Sequence, residues 1–303
     1  MATKRIAIAT YLDNYPKCIA EYYWLYKSWL LSDLIEMSDI LVFYNDTIPD
    51  ELMPPQHEGV IFIPTKSLPE IDSFWKDYRR INAVWYLTTD EARIVKNYTY
   101  TLRTDVDCFL TSNFKILRPR LAMFGHNQYC REPDVLRRLS NICSKLDIKQ
   151  YFINPTSSVL CFSNIIIQYS QSQLGIARYI KQNEFNDFNG EWPEWNNQVI
   201  NLYSSHVAAN AFFKNGYNIG GIDSMGESED PIGSQDYHIH AWHTYRDFSK
   251  VKWHKGEYDD FDFSTLNPEI IRDYCLLIAK SRKEFLSENS AFRTICPELM
   301  WDV

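Results

Sequence analysis

Two aspartates one residue apart, Asp105 and Asp107, close the stretch Tyr98-Thr99-Tyr100-Thr101-Leu102-Arg103-Thr104. The residues before them are β-branched and aromatic, which suits a buried strand. Charged groups at the end of such a strand cost free energy to desolvate unless they are paired or bind a metal. Two carboxylates in that place offer oxygen ligands to a divalent cation, and such a cation can carry a diphosphate. In open α/β sheets, ligands gather beyond the carboxyl ends of the strands. An Asp-X-Asp triplet by itself arises by chance about once in a chain of this length. A second one, Asp260-Phe261-Asp262, follows the polar run Gly256-Glu257-Tyr258-Asp259 and reads as a solvated loop. The apolar strand in front of Asp105 is what separates the two.

Other constellations surround this pair. Arg103 shares a strand face with Asp105 by period-two alternation, where it orients the carboxylate, touches phosphate or forms a plain ion pair. Trp192-Pro193-Glu194-Trp195 places a carboxylate between two tryptophans. Aromatic rings make a platform for a sugar, and Glu194 could bind hydroxyls or take a proton; the same loop could equally anchor a core. His238, His240 and His243 cluster within six residues, and on a strand His238 and His240 face the same way.

The elements that must hold these residues alternate. Arg5–Thr10 reads as a first buried strand, 15–31 as a helix with a stripe of Ile19, Tyr22, Tyr23, Tyr26, Trp29 and Leu30, and 40–44 as a second strand. Residues 60–63 form a third strand, 73–87 a helix capped by Ser73, and 98–104 the fourth strand. This order implies a mostly parallel sheet. Beyond Asp107, strands are expected at 121–124, 158–162, 217–222 and 237–242. Helices are expected at 134–146, 165–180, 196–215 (stopped by Asn215-Gly216) and 268–286.

Composition narrows the class. The chain has 303 residues and is 45% hydrophobic, enough for a globular core, with 15% aromatic residues including 20 Tyr and 9 Trp. Its net charge of −8 argues against broad nucleic-acid binding. The seven cysteines are scattered and contain no Cys-X-X-Cys pair, which suggests neither a zinc site nor a disulfide framework. No apolar run approaches the roughly 20 residues of a membrane span, and no signal-peptide core follows Met1, so a cytoplasmic location is expected. One domain, residues 1–303, in two halves, 1–110 and 111–303, is the simplest organisation.

At this point the chain resembles glycosyltransferases of the GT-A fold, in particular a branch found in algae and large DNA viruses. The resemblance rests on Leu102-Arg103-Thr104-Asp105-Val106-Asp107-Cys108-Phe109-Leu110, on Trp192-Pro193-Glu194-Trp195 with Leu202-Tyr203-Ser204-Ser205 and Ala208-Ala209-Asn210, and on His238-Ile239-His240-Ala241-Trp242-His243 with Phe248-Ser249-Lys250. It implies an α/β architecture in which a Rossmann-like nucleotide-binding half with a mixed central sheet is fused to an acceptor-binding half. It implies a nucleotide-diphosphate sugar donor, UDP- or GDP-linked, and a glycan or glycoprotein acceptor. By similarity, Asp105 and Asp107 would hold Mn²⁺ or Mg²⁺, and a C-terminal histidine would complete the ligands. His240 is chosen over His238 because it lies nearer the end of its strand, and imidazole favours Mn²⁺. Lys250, or failing it Lys252 or Lys255, would meet the diphosphate. Thr10 and Tyr11 fall where such enzymes hold the base, and Arg79, beside Lys76 and Arg80, on the element bordering the nucleotide. For an inverting reaction Glu194 and Asp223 are the candidate bases, with Glu227 and Asp236 as further carboxylates.

Three other classes remain. A sugar-phosphate nucleotidyltransferase would want a glycine-rich loop after the first strand, and Thr10-Tyr11-Leu12-Asp13-Asn14 has no glycine. A non-catalytic carbohydrate-binding protein on a degenerate scaffold would have no use for an intact aspartate pair. A metal-dependent hydrolase would place its His-X-His early, on a first barrel strand.

Overall fold

The computed structural model describes residues 4–126, 132–151, 155–213, 218–243 and 247–295. Its first strand, β1 (Ile6–Leu12), is buried along its whole length and lies inside a seven-stranded sheet. Period-two alternation on β1 divides the molecule. Ile6, Ile8 and Leu12 enter one apolar core, while Ala7, Ala9 and Tyr11 enter the other.

Helix α1 (Pro16–Leu31) follows, with proline in its first turn, where no amide hydrogen is needed. The chain then turns at Asp33, whose φ of 50° is left-handed. Strands β2 (Ser38–Tyr44) and β3 (Val60–Pro64) add parallel to β1 on one side, and β4 (Tyr100–Arg103) on the other. The helix expected over 73–87 is instead a series of single turns, including α2 (Leu68–Ile71) just before it and α3 (Asn82–Trp85). Short polar side chains compete for its backbone. Asp72 Oδ1 accepts the Phe74 amide at 3.0 Å, and Asn82 Oδ1 accepts the Leu68 amide at 2.9 Å.

After β4 the chain leaves the large sheet for β5 (Cys108–Leu110). It returns through β6 (Met123–His126), α4 (Pro133–Lys145), β7 (Pro155–Phe162), α5 (Ser163–Asn183), α6 (Ile200–Phe212) and β8 (Asn218–Ile219). The large sheet is ordered β3-β2-β1-β4-β7-β6-β8, with β7 antiparallel to both neighbours, so the architecture is mixed α/β with a mostly parallel centre. Strands β9 (Ser224–Met225) and β10 (His238–His240) join β5 in a second, three-stranded sheet. Helices α7 (Lys250–His254), α8 (Ile271–Ala279), α9 (Arg282–Glu288) and α10 (Ser290–Ile295) close the described chain.

Three expected elements are shorter than their patterns. The helix over 268–286 is two helices, broken where Lys280 takes a φ of 56°. Ser281 starts the second with a full capping box to Glu284, a Ser-X-X-Glu signal present in the sequence. The helix over 196–215 begins as a short 3-10 turn and becomes α-helical at Ile200; Asn215-Gly216 and Tyr217 lie outside the described residues. The strand over 237–242 is reduced to β10. Asp260-Phe261-Asp262 is an exposed loop, and Asp262 Oδ1 accepts the Ser264 amide at 3.0 Å. Five described cysteines are free; Cys130 and Cys296 lie outside the described residues. No described helix is long and apolar enough to cross a membrane.

Helix α6 is buried almost all round, and His206 on it is fully buried. Burial pushes this imidazole down to about 4. The unfolded chain therefore takes up a proton near pH 6.5 that the folded chain refuses until about pH 4. The stability tied to neutral His206 is fully present above pH 6.5 and is lost as pH falls through that window, by about 3 kcal/mol in all. Urea denaturation at pH 7 and pH 4.5 should show a smaller pH difference for His206→Gln than for the unaltered chain. An identical difference in both would remove His206 from the account.

Candidate functional site

Strand β4 ends against β1, with Arg103 opposite Ala9 and the Thr104 amide donating to the Ala9 carbonyl at 3.0 Å. The next strand, β5, belongs to the other sheet, where Cys108 pairs with His240 and Leu110 with His238. Asp105-Val106-Asp107 is thus the crossing between two sheets. The pairing continues one step further, as the Ala241 amide donates to the Asp107 carbonyl at 2.9 Å. Backbone register brings a histidine from late in the chain beside the aspartates.

Asp107 is almost wholly buried and accepts a hydrogen bond from the Lys250 ammonium, which is buried as well. Its other oxygen, Oδ1, lies 3.4 Å from Nε2 of His240. Lys250 opens α7, whose N-cap is Ser249. Burial alone would raise the Asp107 carboxyl, but Lys250 and His240 outweigh it and hold it well below the usual range. Asp105, half-buried, is held above that range by burial and then by the Asp107 charge. Burial by itself would lower His240, but the Asp107 and Asp223 carboxylates keep it well above an ordinary imidazole.

Behind His240 lies Asp223, whose side chain is sealed from solvent. Its Oδ1 is 3.5 Å from Nδ1 of His240 and 3.1 Å from Nδ1 of His238. His238 in turn meets the Thr104 hydroxyl through Nε2 at 2.7 Å.

Asp105 and Asp107 line a cleft of about 690 Å³. Five cationic side chains, Lys17, Arg79, Arg80, Lys250 and Lys255, face it against four carboxylates, Asp13, Glu21, Asp105 and Asp107. In a chain of net charge −8 this is a locally positive groove, suited to an anion. The donor set also fits a hard divalent cation. Asp107, Cys108 and His240 offer ligand atoms within 4.8 Å of one another, with Asp105 on the same cleft wall. Burial keeps the Cys108 thiol well above its ordinary value and hence protonated, leaving carboxylate oxygens and imidazole as the donors.

The other expected site residues divide. Tyr11 lines the cleft and stacks on Tyr86 at 6.1 Å. Thr10 is fully buried with a sealed hydroxyl, because the strand alternates; it cannot touch a base. Arg79 lines the cleft, where Asp13 takes its guanidinium at 2.8 and 3.2 Å. Arg103 is buried, donates to Gln173 Oε1 at 2.6 Å and lies over the Tyr169 ring, so it packs against α5 and not against phosphate. Asp223 is too deeply enclosed to take a proton from a substrate hydroxyl. Trp195 is fully buried, stacked on Phe185 at 5.1 Å and Tyr203 at 4.2 Å, with its indole nitrogen donating to the Glu184 carbonyl at 2.8 Å. This corrects the expected sugar platform, since its ring faces are taken by protein. Trp192 and Glu194 are exposed, on a loop outside the cleft lining.

Sequence reasoning missed Lys17, Glu21 and His254, while Lys255, named as an alternative to Lys250, does line the cleft. Glu21 Oε1 and Nε2 of His254 meet at 2.8 Å across 233 positions, with no local pattern to signal the pairing. Asp13, one residue past β1, carried the same strand-end signal as Asp105.

The domain-of-unknown-function family DUF7164 matches residues 1–295. The chain belongs to that family. No curated protein matches its sequence. Among solved structures it is similar to the galactosyltransferase LgtC in complex with donor and acceptor sugar analogues, at 10% identity and a TM-score of 0.46 over 72% of this chain and 75% of that one. An active-site mutant of LgtC gives 10% identity and a TM-score of 0.45 over the same shares of the two chains.

The two tryptophans make a direct test of the burial assignment. Trp195→Ala should cost about 3–5 kcal/mol of stability, as large-to-small changes in a core do. Trp192→Ala should stay within about 0.5 kcal/mol, as surface changes do. Denaturant titration of both variants measures this, and equal losses would contradict it.

Proposed function

We propose that this chain is a glycosyltransferase of GT-A architecture that moves a sugar from a UDP- or GDP-linked donor to a hydroxyl of a glycan or glycoprotein. The observation that carries the reading is a cleft lined by the strand-end pair Asp105 and Asp107 and by Lys250, with His240, also from late in the chain, 3.4 Å from Asp107. A diphosphate is best held by a cation and fixed positive side chains together, and this cleft offers possible ligands for the first beside the second.

Asp105, Asp107 and His240 would hold Mn²⁺ or Mg²⁺. When bound, that ion supplies Lewis-acid stabilisation of the leaving diphosphate. Lys250, at present neutralising Asp107, would share its charge with the phosphates, and Arg79, Arg80, Lys17 and Lys255 line the path such an anion would take. Tyr11 offers a ring at the end of β1, where a base can lie against it. Of the three residues expected at the acceptor, Trp192 and Glu194 are the exposed ones.

The reading is tested by thermal denaturation with a panel of UDP- and GDP-sugars, with and without Mn²⁺. A ligand at 100 times its dissociation constant stabilises the folded chain by about 2.7 kcal/mol. At least one donor should raise the midpoint in Mn²⁺ and not in EDTA, and Asp107→Asn should abolish that rise while remaining folded. No shift with any nucleotide-sugar would overturn the assignment, and undiminished transfer in excess EDTA would overturn its metal dependence.

A further inference from the structure

Asp223 stands out for conformation and burial together. Its φ of 55° is left-handed, a region that aspartate enters more readily than most side chains but still seldom. Both its carboxylate oxygens are sealed from water and, among the described residues, make no hydrogen bond within ordinary geometry. An enclosed carboxylate is costly unless neighbouring groups offset its charge, so what faces it matters.

Two imidazoles do. His238 is fully committed: its Nδ1 accepts the Asp223 amide at 3.0 Å, and its Nε2 meets the Thr104 hydroxyl at 2.7 Å. An Nδ1 that accepts an amide hydrogen presents a lone pair, so His238 cannot donate a proton to the carboxylate from that nitrogen. The same commitment removes His238 from the buried Cys108-Asp223-His238 group as a metal ligand. What remains facing Oδ1 of Asp223 is Nδ1 of His240 at 3.5 Å, while Nε2 of the same ring lies 3.4 Å from Oδ1 of Asp107. The His240 ring is held between a buried carboxylate behind and the cleft carboxylate in front.

We infer that Asp223 is a positioning residue: it holds the proton on Nδ1 of His240 and so aims Nε2 at Asp107 and at the cation proposed above. The inference rests on that reading of the cleft. A carboxylate behind a ligating imidazole fixes its tautomer and orientation and raises its basicity, and losing such a partner costs about 10–100-fold in metal affinity. The left-handed turn at Asp223, two residues after Gly221 at a φ of 76°, is what carries this carboxylate to the back of the ring. Its neighbour Asp107 faces the cleft, so the two acids on one imidazole have different work.

The test is Mn²⁺ affinity of the full chain without nucleotide, read from the paramagnetic resonance of the free ion, with circular dichroism as the check on folding. Asp223→Gly accepts the left-handed backbone and removes the carboxylate; Asp223→Asn accepts it and removes only the charge. Expected is a loss of about tenfold or more in Asp223→Gly and a smaller loss in Asp223→Asn, which keeps an acceptor oxygen. If His240→Ala weakens Mn²⁺ binding while Asp223→Gly is folded and stays within about twofold of the unaltered chain, the positioning role is overturned and the cleft reading stands. If Asp223→Gly does not fold, Asp223→Asn decides: weakened binding supports the role and unchanged binding overturns it. Absence of Mn²⁺ binding in the unaltered chain would overturn the metal reading and this inference with it.

Discussion

The buried ion pair between Asp107 and Lys250 is the constraint on which the site depends. Both groups are nearly inaccessible to water, so each is tolerable only because of the other. Breaking such a pair by removing one partner costs about 3–5 kcal/mol. The pair joins the crossing between the two sheets to the start of α7, and the β5–β10 pairing runs beside it. One charge interaction therefore ties the crossing after β4 to a segment far along the chain. On the function proposed above, a cation and a diphosphate entering the cleft would compete for both partners of this pair.

The cleft also shows how a chain of net charge −8 can present a positive surface. Its wall gathers Lys17 from α1, Arg79 and Arg80 from the broken turns after β3, and Lys250 and Lys255 from and beside α7. Several are already engaged. Asp13 takes Arg79, and the Gln198 carbonyl accepts from Arg80 at 2.7 Å. These contacts hold long side chains near their working positions and reduce the ordering that an arriving anion would otherwise have to impose.

Around the site, aromatic packing does the positioning. The Trp24 ring stacks on Phe109 of β5 at 5.6 Å and meets Trp253 of α7 edge-on at 5.1 Å, so one residue of α1 supports the elements that carry Asp107 and Lys250. On the other face of the sheet, Trp195 and Tyr203 hold the loop before α6 to the second core. The high aromatic content thus serves mainly packing, and the sequence fragment that looked most like a sugar platform is half buried in it.

Local chemistry alone made the parallel centre of the sheet readable. Period-two and period-3.6 patterns mark β1 to β4 and α1, and two acids closing an apolar strand mark the site at Asp105 and Asp107. Short segments were less legible, because the side chains of Asp72, Asn82 and Ser281 take the backbone amides of Phe74, Leu68 and Glu284, and hydrophobic pattern does not register that. The direction in which strand-end side chains point was decided by tertiary structure: Thr10 is sealed, Tyr11 lies in the second core at the cleft wall, and Arg103 went to Gln173. The sequence also carried His240 and Lys250 as candidates, but only by resemblance. The place of His240 beside Asp107 comes from antiparallel register between β5 and β10, and that of Lys250 from the start of α7; no local pattern encodes either long-range contact. Burial separated Trp195 from Trp192 and put Asp223, a candidate base by residue type, at the back of an imidazole. Residue type and spacing state which groups can do chemistry; solvent exclusion, set by the whole fold, states which of them can reach a substrate.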